Sequence, residues 1–318
     1  MKLQAPALED IQAAARRIAG VAICSPLVPL NFPTPSQIFL KLENLQPIGS
    51  FKVRGAANAI ASADREQLAD GVWTASAGNM AQGVAWNARR FGLSCTAVVP
   101  EHASQAKLDA ISRLGAKIVK VPFDAWWQVL MTHRFEGMKG LFVHPVSNAA
   151  VIAGNGTIGL EILEALPDVD AIVIPYGGGG LSVGIAAAVR ALRPEVKIHP
   201  AEVETAAPLA ASWGCAEPKI ANYTPSFVDG IGGKSVLQEI WPLATALLDA
   251  PIVVSVRAIA DAIRLLVERN RVIAEGAGAA PVAAALTGKA GSGKIVGVVS
   301  GGNLDSWKLV KILNGEIP

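Results

Sequence analysis

Between residues 71 and 145, short apolar runs alternate with longer amphipathic ones. Residues 72–75, 95–99, 117–121 and 141–143 are apolar and too short for helices, so the pattern predicts strands. The stretches between them, 80–91, 104–114 and 126–134, have helical spacing, and Gly92 and Gly115 fall just past two of them, where helices commonly end. A second alternation starts near Ala149: helix over 151–166, strand over 171–174, helix over 181–192, then strands at 197–202, 252–254 and 294–299. Near the N-terminus, residues 8–18 read as an amphipathic helix, 37–43 as a strand, and 56–60 as helix. Buried strands alternating with helices imply parallel βαβ units with both sheet faces covered. The expected fold class is therefore α/β, with parallel sheets flanked by helices, arranged as two domains with a cleft between them. Residues 71–145 are expected to form the smaller, mobile domain, and residues 1–70 and 146–318 the larger one.

Composition narrows the function classes. The 318 residues are 51% hydrophobic and 17% charged, enough for a large core and an oligomer interface. A net charge of +2 with interspersed signs gives no field that argues for nucleic acid or an anionic membrane. Cys24, Cys95 and Cys215 are odd in number and widely spaced, which argues against a disulfide framework or zinc knuckle. His102, His133, His144 and His199 show no ligand-type spacing, so no metal site is expected from them. No apolar run reaches the length of a membrane span, and the N-terminus lacks a signal-peptide core. A soluble cytoplasmic protein acting on a small molecule, as a homodimer or higher homo-oligomer, is the expectation.

Four stretches carry candidate chemistry. Lys52, in Ser50-Phe51-Lys52-Val53-Arg54-Gly55, sits where a strand turns into a helix. Loops present functional groups at such places, although a solvated lysine in a helix's first turn reads the same way from this stretch alone. Residues 171–181 run from a buried strand through Gly177, Gly178, Gly179 and Gly180 into a helix starting near Leu181. Converging backbone N–H groups at a helix N-terminus make a phosphate cradle. Ser76-Ala77-Gly78-Asn79 lies between a strand and a helix and suits a carboxylate or a phenolic oxygen, or simple capping of the helix. Ser300 follows the strand 295–299, at the strand end where parallel sheets bind ligands. By contrast, Gly288 to Ile295 nearly spells a Walker A motif, but Ile295 replaces the magnesium-binding hydroxyl and the segment precedes a strand instead of following one. A ligand with an aldehyde, a phosphate and a ring nitrogen, bound beside an amino-acid carboxylate, would use all four; pyridoxal 5'-phosphate with an amino-acid substrate fits.

These segments, with Glu275-Gly276-Ala277-Gly278-Ala279 and Ser300-Gly301-Gly302-Asn303, resemble the serine/threonine dehydratases. Those are fold-type II pyridoxal-phosphate enzymes, like the tryptophan synthase β chain in fold, and their relatives include serine racemase. The resemblance spans nearly the whole chain. It implies an ammonia-lyase that acts on a β-hydroxy amino acid by α,β-elimination, giving a 2-oxo acid and ammonia. It implies that Lys52 holds the cofactor covalently and later removes the Cα proton, that Phe51 packs beside the ring, and that Asn79 bonds the phenolic oxygen. It further places the phosphate on Gly177 to Gly180 with Leu181, counts Glu275 among the cofactor-side residues, and sets Ser300 against the pyridine nitrogen. The substrate carboxylate falls to Ser76, Ala77, Gly78 and Asn79. Within the same fold the alternatives are a racemase or a β-replacement synthase; from another class, a non-catalytic phosphate- or nucleotide-binding protein.

Departures from the family pattern sharpen the expectation. The racemases carry a second serine where this chain has Ala77, which has no proton to give, so elimination is expected over racemisation. At the family's divalent-cation site, Glu202 and Ala206 match but Pro208 replaces an aspartate, so a tight site is not expected. Met80 stands where histidine is common, and Val146-Ser147-Asn148 follows His144-Pro145 where polar or acidic residues are usual. Both changes allow a more apolar pocket and a bulkier substrate, or reflect neutral drift. The chain stops at Pro318, so the regulatory domain of the biosynthetic members is not expected.

Overall fold

The computed structural model describes residues 3–318. The chain opens with α1 (Leu8–Ile18), β1 (Leu27–Pro29), β2 (Gln37–Leu42), α2 (Lys52–Ala61) and the short α3 (Arg65–Leu68). It continues through β3 (Val72–Ala75), α4 (Asn79–Phe91), β4 (Cys95–Pro100), α5 (Gln105–Arg113), β5 (Lys117–Val121), α6 (Phe123–Thr132) and β6 (Leu141–Phe142). Then come α7 (Ala149–Ala165), β7 (Ala171–Pro175), α8 (Gly180–Leu192), β8 (Lys197–Val203), α9 (Pro208–Ser212) and α10 (Trp241–Leu247). The last elements are β9 (Ile252–Val254), α11 (Val256–Leu265), α12 (Gly276–Leu286), β10 (Lys294–Val299) and α13 (Ser306–Leu313).

The strands form two sheets. One has six strands in the order β1-β2-β10-β7-β8-β9, the other four in the order β5-β4-β3-β6. Every pairing is parallel except β1 with β2. β7 is buried at every position, as a central strand covered on both faces must be. The apolar alternation predicted both sheets; it did not predict β1, whose three residues Leu-Val-Pro include a proline that a central strand would not tolerate. Several helix bounds also moved. The predicted helix over 126–134 is α6, which starts earlier because Pro122 closes the preceding strand and caps it, and which ends where His133 turns left-handed.

Between the sheets lies α7, whose residues Val151 to Gly159 are all buried. A helix apolar all round belongs in the interior. Its glycines permit close approach to neighbouring backbones. A Cβ at Gly154 would stand 2.7 Å from the Arg54 carbonyl oxygen on α2, and one at Gly156 2.8 Å from the Gly184 carbonyl oxygen on α8. α2 and α8, the helices that follow Lys52 and the glycine run, are thereby locked to one central rod.

In parallel sheets the C-terminal strand ends point one way, toward a common crevice. Here the loops after β3, β4, β6, β7 and β10, with the start of α6 after β5, all line a single cleft of about 740 Å³. The irregular stretch after α9 contributes Asp229, Gly230 and Ile231 to the same cleft. The Walker-like segment is elsewhere: it is an exposed turn with positive φ at Gly288, Gly291 and Gly293, leading into β10.

Candidate active site

Lys52 opens α2, and that start is fixed by the end of β10. The Phe51 N–H donates to the Ser300 carbonyl at 3.0 Å, and Ser50 forms a bridge with Gly301. Ser300 itself is buried and lines the cleft. The Lys52 ammonium donates to the Pro145 carbonyl at 2.6 Å and lies 5.1 Å from the centre of the Phe51 ring. Burial lowers its pKa to about 8, against the opposing pull of the Glu275 carboxylate. Near neutral pH a usable fraction of the amine is therefore unprotonated, which is the condition for attack on a carbonyl.

Gly177, Gly178, Gly179, Gly180 and Leu181 line the same cleft. Gly179 has φ +91°, a conformation that favours glycine. Side chains are also excluded sterically: a Cβ at Gly178 would collide with the Val146 side chain, and one at Gly180 would lie 2.8 Å from the Val146 carbonyl oxygen. No side chain caps α8, so its first-turn N–H groups remain for an anion. An amine of lowered pKa facing the same cleft as a backbone cradle in which Gly178, Gly179 and Gly180 leave no room for a side chain fits the aldehyde and phosphate of pyridoxal phosphate.

The loop after β3 carries Ser76, Ala77, Gly78 and Asn79, all on the cleft. Neither Ser76 nor Asn79 caps α4: the Ser76 hydroxyl accepts the Gly78 N–H at 3.2 Å, and the helix starts from Gly78 without a side-chain cap. Its terminus is thus open to a carboxylate as well. Asn79 donates from its amide to Glu275 at 2.8 Å, and its own carbonyl accepts from Asn303 at 2.7 Å. Burial raises the Glu275 pKa to about 7, and the nearby Asp229 charge adds to the rise. The sequence placed Asn79 and Glu275 in one site; it did not foresee that they bond each other across 196 positions.

Two further groups were missed. His144 accepts the backbone N–H groups of Val146 at 3.0 Å and Ser147 at 2.7 Å on Nδ1, while Nε2 faces the Leu130 carbonyl. Burial, with His133 nearby, lowers its pKa to about 3, so the ring is neutral. It pins the turn whose Pro145 oxygen receives Lys52 and whose Val146 walls the glycine run. The only sequence signal was its position before Pro145. Arg54, two residues beyond Lys52, is wholly buried and bonds Glu43 at 2.8 Å and Glu161 at 2.5 Å; Lys41 reaches the same Glu161 at 2.5 Å. This network clamps the start of α2.

At the position matching the family's divalent-cation site, the Glu202 carboxylate accepts backbone N–H groups of Leu209 at 2.9 Å and Ala210 at 2.7 Å. Both oxygens therefore hold the start of α9, and burial raises the pKa to about 7. Among the described residues His133, His144 and Glu239 come within 4.8 Å of one another. Both nitrogens of His144 are already engaged with backbone groups.

Comparison with known proteins places this cleft in context. Residues 19–301 match the family described as pyridoxal-phosphate dependent enzyme. L-threonine ammonia-lyase of Thermotoga maritima is 41% identical over 313 residues, covering 96% of this chain and 78% of that protein. L-threonine dehydratase catabolic TdcB of Escherichia coli K12 is 34% identical, covering 96% of this chain and 95% of that one. The structure of maize serine racemase superposes with a TM-score of 0.90 at 32% identity, covering 98% of each chain. No helix among the described residues is long and apolar enough to cross a membrane. With the lysine, the glycine cradle and these relatives in agreement, the chain belongs to the pyridoxal-phosphate dependent enzymes, in their ammonia-lyase (dehydratase) branch.

Proposed function

We propose that this enzyme removes the β-hydroxyl and the amino group of L-threonine or a similar β-hydroxy amino acid, releasing a 2-oxo acid and ammonia. The observation that carries the reading is the convergence of Lys52, the Gly177–Gly180 run and the Ser76–Asn79 loop on one cleft. Pyridoxal phosphate, when bound, supplies a sink for the electrons left at Cα. Lys52 would hold its aldehyde carbon, the Gly177–Gly180 backbone and Leu181 its phosphate, and Phe51, Asn79, Glu275 and Ser300 would surround the ring.

The chain's own groups then divide the work. The N–H groups of the Ser76–Asn79 loop and the start of α4 orient the substrate carboxylate. The Lys52 amine, with its pKa near 8, takes the Cα proton and can return one to the departing hydroxyl, which leaves as water. The released enamine tautomerises and is hydrolysed by water, so the net change is substrate to 2-oxo acid plus ammonia. Ala77 presents a methyl group to the cleft, so no proton carrier stands there for racemisation. Residues 71–145 closing on the remainder would shield the reacting carbon from solvent. A cytoplasmic homo-oligomer is part of this reading; the exposed apolar Val310 and Leu313 on α13 support the oligomer.

The test is stoichiometric. The purified enzyme with L-threonine should yield 2-oxobutanoate and ammonia in equal amounts. Absence of the 2-oxo acid, or formation of D-serine from L-serine at a rate matching ammonia release, would overturn the assignment.

A further inference from the structure

One wall of the cleft is aromatic. At about 740 Å³ the cleft falls within the usual range of small-molecule sites, about 300 to 1,000 Å³, and has to take a cofactor and a substrate side by side. The wall comes from the loop after β4 and from the first turn of α6, which follows β5. His102 and Phe123 have ring centres 5.8 Å apart, and Phe123 and Trp126 5.7 Å, making a row of three rings along the cleft. Phe123 is half exposed, an apolar ring in water at the mouth of a site. Met80 and Val146 continue the apolar lining.

Strand order fixes where this row stands relative to the carboxylate loop. With β5-β4-β3 adjacent, the loop after β5 lies two strand spacings, roughly 10 Å, from the loop after β3. The methyl of threonine ends two bonds from Cα, and a β-phenyl ring extends three bonds further. Charged groups at the cleft mouth are already paired with each other: Lys107 with Asp229 at 2.7 Å, and Lys308 with Asp305 at 3.4 Å and Asp229 at 3.9 Å. The wall is therefore suited to an apolar β-substituent and not to a second carboxylate.

We propose that the Phe123–Trp126 wall receives an aryl or comparably bulky apolar β-substituent, so that β-aryl-β-hydroxy amino acids such as β-phenylserine are substrates. This rests on the elimination reading above. The reaction balances in the same way: Cα loses its proton, the β-hydroxyl leaves as water, and hydrolysis of the enamine gives phenylpyruvate and ammonia.

The test compares L-threonine, L-threo-β-phenylserine and 3-hydroxyaspartate on the holoenzyme, with both 2-oxo acid and ammonia measured. Phenylserine should be turned over with kcat/KM at or above that of threonine, and 3-hydroxyaspartate at least tenfold below. One methylene in an apolar pocket is worth about 10–200-fold, so Phe123→Ala should lower the phenylserine-to-threonine ratio of kcat/KM by at least about tenfold. Phe123→Leu should restore part of it. Trp126→Ala should act in the same direction. Threonine turnover with phenylserine inert would overturn the proposal alone, as would benzaldehyde in place of phenylpyruvate, or a ratio untouched by Phe123→Ala. Silence on all three substrates would instead overturn the elimination reading, and this proposal with it.

Discussion

The two sheets of this molecule are built differently, and the difference maps onto the two jobs of the cleft. In the six-stranded half, β7 and most of β10 are buried, α8 is buried from Gly180 to Val189, and glycines bring helices into backbone contact. In the four-stranded half, β5 is mostly exposed or half-buried, α5 buries only Leu108 and Ile111, and α6 only Val129. The first half holds what must not move: the cradle, Lys52 and Ser300. The second sets the carboxylate loop between the buried β3 and α4, and carries the aromatic wall on the lightly buried α6, where local motion costs least. Cofactor binding and substrate choice are thus separable by mutation.

The largest break should come from Lys52→Ala. Loss of one acid–base group alone costs about 10²–10⁴ in rate, and loss of the covalent anchor adds to it. The backbone cradle would still bind inorganic phosphate. Activity within tenfold of the parent would sink the role given to Lys52.

Next, Arg54→Met should destabilise the large half by about 3–5 kcal/mol, because it leaves the buried Glu43 and Glu161 without a guanidinium partner. Denaturant melts measure this. Glu43→Gln together with Arg54→Met should recover part of the loss, since Glu161 keeps Lys41 and Glu43 has no other cation, and no recovery would argue against the ion network as its cause. Gly178→Val pushes a side chain into Val146 and should weaken cofactor retention while leaving the apo-protein folded, read by equilibrium dialysis.

A smaller effect is pH-dependent. The Lys52 pKa is lowered from 10.5 to about 8 in the folded protein. Between those values the unfolded chain binds the extra proton, so this group's contribution to apo-protein stability rises with pH across that window. The rate of cofactor uptake should climb as pH approaches 8 and level above it. A rate flat from pH 6 to 9 would contradict the lowered pKa. The smallest effect is expected at the cleft mouth. Lys107→Ala removes an exposed pair to Asp229 and should change stability by no more than about 1 kcal/mol. A loss equal to that of Arg54→Met would erase the contrast between the two halves.

Much of this was legible in the sequence because it is local. Strand, glycine run and helix follow one another between Ala171 and Leu192, so periodicity and composition suffice to mark a cradle. Lys52 was legible as a candidate from its strand-to-helix position. What was not legible arises from three-dimensional return of the chain. The Asn79–Glu275 bond, the Arg54–Glu43–Glu161 network and the Lys52–Pro145 contact join residues with no shared local pattern. His144 earned no functional reading from spacing, since its role depends on a turn that points backbone N–H groups at one ring nitrogen. The aromatic wall was hidden for a related reason. Phe123 lies outside the helix predicted over 126–134 and Trp126 opens it, so nothing in the local pattern marks either until strand order places them beside the carboxylate loop.

The account turns on the covalent role of one lysine. Borohydride reduction of the native holoenzyme, followed by a tryptic peptide map, should place the reduced pyridoxyl group on Lys52 and on no other lysine. A label on a different lysine, or an unmodified Lys52 peptide in an active preparation, would contradict it.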